Sequence, residues 1–131
     1  MITTGLILAA LAALLHVYIF YMESIAWTSA RVRATFGLTE AEAAATKEMA
    51  FNQGFYNLFL AVVTGAGIVA YIAGATGVGV ALVFAGTGSM LAAALVLFLS
   101  SAAKRRAAAV QGVLPLLSLV SVGIGLALGG V

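Results

Sequence analysis

No cysteine occurs in the chain, which excludes disulfide cross-links, thiolate chemistry and cysteine-held zinc. Charge is nearly as scarce. Charged residues are 8% of the 131, against about a quarter in an ordinary soluble domain, too few to build a water-facing surface. No lysine or arginine falls inside any of the long apolar stretches, so a retinal protein, which needs a lysine within the membrane, is excluded. Basic residues are also missing from Met1 to Thr4. The apolar run that follows is too long for a secretory signal, and no small-residue cleavage site interrupts it. It is expected to be a retained first helix.

What is present is apolar sequence: 64% hydrophobic residues and a mean hydropathy of +1.20. A spanning helix needs about 20 consecutive apolar residues. Four such stretches can be read, at about residues 4–27, 51–73, 78–99 and 108–129. They leave no room for a soluble domain. The expected fold is all-α, a polytopic membrane protein folded as one four-helix domain over residues 1–131, with helices at about 4–35, 40–73, 78–100 and 107–129. The lipid bilayer is its first partner. The sequence pI of about 9.3 reflects six basic residues beside membrane segments, so no nucleic-acid partner is expected. No metal site is expected either.

All six basic residues fall in two loops. Arg31, Arg33 and Lys47 lie between the first two helices, and Lys104, Arg105 and Arg106 between the last two. By the positive-inside rule these loops are cytoplasmic and both termini lie outside. Gly37 is a good stop for the first helix. Thr39-Glu40-Ala41-Glu42 reads as a capping box opening the second, which should then enter the membrane without a break before Gly54. Pro115 should sit in the first turns of the last helix, where its missing N–H costs little. Small residues four apart, Ala81, Ala85, Ser89 and Ala93, with Gly125 and Gly129 in the last helix, read as close-packing stripes between the four helices. The alternative is a homodimer face.

Polar side chains within the apolar stretches gather at one depth, toward the basic loops. His16, Tyr18, Tyr21 and Glu23 are on the first helix, Asn52, Gln53, Tyr56 and Asn57 on the second, and Gln111 opens the fourth. His16, Phe20, Glu23 and Trp27 form one stripe by spacing, with His16 about 10 Å deeper than Glu23. Pointing such groups at lipid costs several kcal/mol each, so both clusters should face inward and toward each other. Structural readings stand beside this: Glu23 at the interface, His16 as a helix-to-helix hydrogen bond, the amides as a lock between helices.

The histidine, the ES-x-AW segment, the run ATKEMAFNQGFYNLFLA and the VQGVLPLL opening of the last helix resemble the bacterial membrane family designated domain of unknown function 1304. The resemblance extends over nearly the whole chain and implies a small four-helix inner-membrane protein. It supplies no activity, substrate or cofactor. Its pattern emphasises His16, Glu23, Trp27, Asn52, Gln53, Gly54, Tyr56 and Asn57, and the chain departs from it at Ser24 and Phe55, where an apolar residue is expected.

Three functions compete. The first is binding or transport of a small molecule, cation or proton in a polar pocket open to the cytoplasm. There Glu23 would be the titratable anchor and His16 the deeper proton partner. Asn52, Gln53, Tyr56, Asn57 and Gln111 would hydrogen-bond the ligand, and Trp27 would close the mouth. Four short helices with a glutamate on the first resemble small multidrug transporters, but the six-to-none charge bias argues against that identity. The second is an enzyme acting on a lipid or quinone. The third is a structural or assembly subunit. One histidine supplies a single axial ligand, so a haem would need Met22 or a second protomer; the cofactor stays unassigned.

Overall fold

The computed structural model describes residues 1–129. Helix α1, Ile2–Phe20, passes directly into one wider π-helical turn, Tyr21–Ile25, closed by the Ala26 N–H donating to the Tyr21 carbonyl at 2.9 Å. Short helices α2 (Ala30–Phe36) and α3 (Glu40–Ala45) follow, then α4 (Lys47–Ile72) and α5 (Thr76–Ser100). A single 3₁₀ turn, Ala102–Lys104, leads into α6 (Arg105–Ala127). No strand occurs among the described residues.

Four of these helical segments are long and apolar enough to cross a membrane: Ile2–Ile25, Lys47–Ile72, Thr76–Ser100 and Ala102–Ala127. At 1.5 Å per residue each reaches about 36 Å or more, beyond the roughly 30 Å of hydrocarbon. Their outward faces carry Ile7, Leu14, Val69, Ile72, Val96 and Leu99, all exposed. Such a surface is at home in acyl chains. The chain is a multi-pass membrane protein.

The four spanning helices form a square. α1 packs on α4 and α6, α5 packs on the same two, and the diagonals are nearly empty. The connections after α4 and after α5 are short turns, the one before α4 holds α2 and α3, and consecutive spans run antiparallel. Small residues set the approach: a methyl group added to Gly86 would overlap the Thr64 hydroxyl, and the Ser118 hydroxyl donates to the Gly5 carbonyl at 2.8 Å, tying α6 to α1. Thr64, Thr87 and Ser118 are all buried. Thr64 and Thr87 return their hydroxyl protons to carbonyls four residues back, at 2.9 and 2.6 Å, so neither is left unpaired in the bundle.

Four expectations need correction. The first helix stops at Ile25, not Thr35. The chain leaves the helix at Ala26 because Trp27 folds over, its indole N–H donating to the Thr46 hydroxyl at 3.2 Å and its ring packing on Phe36 at 5.1 Å. Gly37, at φ +67°, is a stop, but for α2. The second helix is interrupted at Thr46 (φ −103°, ψ 5°), the residue that receives Trp27. Pro115 lies buried inside α6, past its first turns, because α6 begins at Arg105. Finally, Ala81, Ala85, Ser89 and Ala93 are all exposed. Helix α5 buries Gly79, Val83, Gly86, Thr87, Met90 and Ala94 instead, because glycine permits a closer approach than alanine and claims the contact. Gly125 does pack, against Ile2, whereas Gly129 is exposed beyond the helix end at φ +76°.

Candidate functional site

The π-helical turn is where α1 meets α4 most closely. A methyl group on Gly54 would overlap the Ser24 hydroxyl and come within 3.0 Å of the Ser24 nitrogen and 3.1 Å of the Glu23 Cβ. Only a glycine lets the two backbones lie this near. Ser24 exploits the approach by donating its hydroxyl to the Phe51 carbonyl at 2.7 Å. One turn deeper, the Asn57 amide donates to Glu23 Oε2 at 3.0 Å, and to the Gln53 carbonyl at 3.1 Å. Phe51, Gly54 and Asn57 are three residues apart, so one edge of α4 meets the turn. Phe20 and Phe55 close the contact edge to face at 5.1 Å.

Glu23 is 7% exposed. Its Oε2 accepts from Asn57, and its Oε1 accepts from no described residue. A carboxylate so placed, at the end of a membrane span with one oxygen uncommitted, can take up a proton or a small cation.

His16 is fully buried. Its Nδ1 lies 2.8 Å from the Ala12 carbonyl. A carbonyl only accepts, so Nδ1 carries the hydrogen and Nε2 is left with a free lone pair. That atom is buried and has no partner among the described residues. Ile2 packs on Gly125, and Gly5 on Ser118 and Val122. Continuing this antiparallel register places His16 at the depth of residues 108–111 on α6. Gln111, half-buried, is therefore the amide at that level.

The structure thus gathers His16 and Glu23 on the inner side of α1 with Asn57, while Gln111 shares the depth of His16. The other candidates turn elsewhere, against the inward orientation expected for them. Asn52, Gln53 and Tyr56 are exposed, Tyr56 at 69%. They stand in the cytoplasm-proximal half expected of α4 but on faces turned away from Glu23, and Asn52 donates to the Glu48 carbonyl at 3.3 Å. Trp27 is half-buried but engaged with Thr46 and Phe36. The bond from Ser24 and the buried Thr87 and Ser118 were missed from sequence. Hydroxyls in the middle of apolar helices were the available signal.

Two grooves mark the surface. One, about 420 Å³, is bordered by Ala44, Ala45, Lys47, Glu48 and Phe51; the other, about 350 Å³ and wholly apolar, runs between α1 and α4 past Ala13, Val17, Ala61 and Gly65. Neither is lined by His16 or Glu23.

Fold and site together define a class: small multi-pass four-helix membrane proteins with a buried histidine and carboxylate on the first span. Within it, the chain belongs to the family described as "Protein of unknown function (DUF1304)", whose profile it matches over residues 10–123. No curated protein matches the chain, and no solved structure does.

Proposed function

We propose that this is an ion- or small-molecule-binding membrane protein whose anchor is Glu23, loaded with a proton or small cation from the basic end, and that this end is the cytoplasmic face of the inner membrane. The observation that carries the reading is Glu23 itself: nearly buried in a π-helical turn, held by a single amide, with Oε1 uncommitted. Such turns are rare and recur at functional sites, and ionisable side chains inside a span are functional candidates by default. His16 Nε2, buried and without a partner among the described residues, serves as the inner partner.

Proton flux tests it. Oriented vesicles carrying the protein and an internal pH dye are driven by a potassium diffusion potential. Wild type should acidify or alkalinise the lumen, and Glu23→Gln should lose at least about tenfold in rate, equivalent to about 1.4 kcal/mol, with its melting temperature preserved. Equal flux in protein-free vesicles, wild type and variant would sink the reading.

A second reading, the structural one, is favoured by the bond from Ser24 to Phe51 and the Gly54 contact: the cluster fastens α1 to α4 and does nothing else. It expects no flux in wild type and lower stability in Ser24→Ala. The enzyme reading gains no support from the geometry, because Tyr56 faces away from His16 and Glu23.

A further inference from the structure

We propose that Lys104, Arg105 and Arg106, above Phe98 and Leu99, form a seat for the phosphate of an anionic phospholipid. The charges at this end of the bundle are unequally committed. Of the four acids, Glu40 lies 3.5 Å from Arg33, Glu42 is occupied by the backbone and hydroxyl of Thr39, Glu23 is inside the bundle, and Glu48 stands exposed in the first turn of α4, one residue from Lys47. Among the described residues, Lys104, Arg105 and Arg106, like Arg31 and Lys47, take part in no salt bridge and are exposed, but these three alone follow one another in sequence.

They also stand where positive charge is least welcome. A helix start carries a partial positive charge that acidic or capping side chains ordinarily offset. Helix α6 starts at Arg105 with no acid in its first turn and no side-chain cap. Three cations at that pole repel one another and the pole, and an anion among them relieves both.

The arginine is already arranged for one. Its guanidinium lies over the Phe98 ring, 5.3 Å from the centroid, and its Nε donates to the Phe98 carbonyl at 3.2 Å. The two terminal nitrogens make no bond to a described residue. Phe98 and Leu99 are 40% and 78% exposed at the last turn of a spanning helix, which is acyl-chain depth just inside the headgroups. Arg105 therefore bridges the boundary: its guanidinium carbon stands over an aromatic ring at hydrocarbon level, and its free fork stands at phosphate level. A forked donor matches two phosphate oxygens. The bilayer delivers that group to this depth with its chains beside Phe98 and Leu99, which a free anion cannot do.

The test is native mass spectrometry of the full chain released from micelles of mixed phosphatidylglycerol and phosphatidylcholine. Wild type should retain phosphatidylglycerol preferentially. Arg105→Gln should lower that preference about fivefold, the equivalent of the roughly 1 kcal/mol expected per basic residue near an anionic surface. Arg31→Gln, an equal charge change in the other basic loop, should leave it within about twofold. Arg105→Lys, which keeps the charge but not the fork, should fall between wild type and Arg105→Gln. Equal retention of the two lipids by wild type would overturn the proposal, as would equal losses in Arg31→Gln and Arg105→Gln. Displacement of the lipid by inorganic phosphate would also overturn it, because the site would then take any phosphate. A helical spectrum matching wild type keeps each variant interpretable.

Discussion

At the scale of single residues, Gly54 and Ser24 govern how the first two spans meet. A side chain at Gly54 overlaps the Ser24 hydroxyl, which must then turn away from the Phe51 carbonyl, and it presses on the Ser24 nitrogen at 3.0 Å. Gly54→Ala should therefore lower stability by about 1–3 kcal/mol, in the range of overpacked cores, seen as a lower melting temperature in detergent. Ser118→Ala removes the hydroxyl that reaches the Gly5 carbonyl and should cost about 0.6 kcal/mol, typical of hydrogen bonds between membrane helices. A loss above about 2 kcal/mol would show that the bond does more than join α6 to α1. Both His16 and Glu23 were readable in the sequence as inward-facing, since an ionisable group in an apolar run has few tolerable positions. The amides of α4 were readable only in part. Asn-Gln-Gly-Phe-Tyr-Asn covers nearly two helical turns and so points in every direction; the glycine decides which edge meets α1, and only Asn57 shares that edge.

At the scale of elements, the capping box at Thr39 and the π-helical turn make a contrast. The box is local chemistry and could be read directly: the Glu42 N–H donates to the Thr39 hydroxyl at 3.2 Å, and Glu42 Oε2 accepts from the Thr39 N–H at 2.8 Å. The turn could not be read, because it arises from a contact between residues far apart in sequence. Thr39 holds the Glu42 carboxyl below its ordinary value through the backbone N–H first and the hydroxyl second. A depressed folded value means the carboxylate stabilises α3 at neutral pH. That contribution fades as pH falls below the ordinary carboxylate range and is gone once it passes the lower folded value. Hydrogen exchange of the α3 amides should quicken relative to α4 between neutral and acid pH, and Glu42→Gln should remove that dependence. An unchanged ratio in the wild type would contradict this role. Thr39→Ala should destabilise α3 by about 1 kcal/mol, again read from its amides.

At the scale of the whole molecule, the bundle of four spanning helices followed from four apolar stretches, whereas their arrangement as a square and the face each helix buries did not. The α5 alanines looked like packing positions, yet glycines at other angles took the contacts. Orientation can be tested cleanly, because a chain without cysteine gives no background to thiol reagents. Ala103→Cys should resist an impermeant maleimide applied to intact cells, and Ala75→Cys should react. The reverse pattern would invert the assignment of sides.

The end of the bundle opposite the basic loops has a consequence for biosynthesis. Between α4 and α5 it consists of Ala73, Gly74 and Ala75, with Gly74 at φ +91° making the bend, and it carries no charged side chain. Were the basic loops retained on the side of synthesis, as proposed above, that small neutral bend would be all that the hairpin of α4 and α5 has to push through the lipid. A charged residue at mid-bilayer costs about 2.5–3.5 kcal/mol on an insertion scale, and here none has to make the passage.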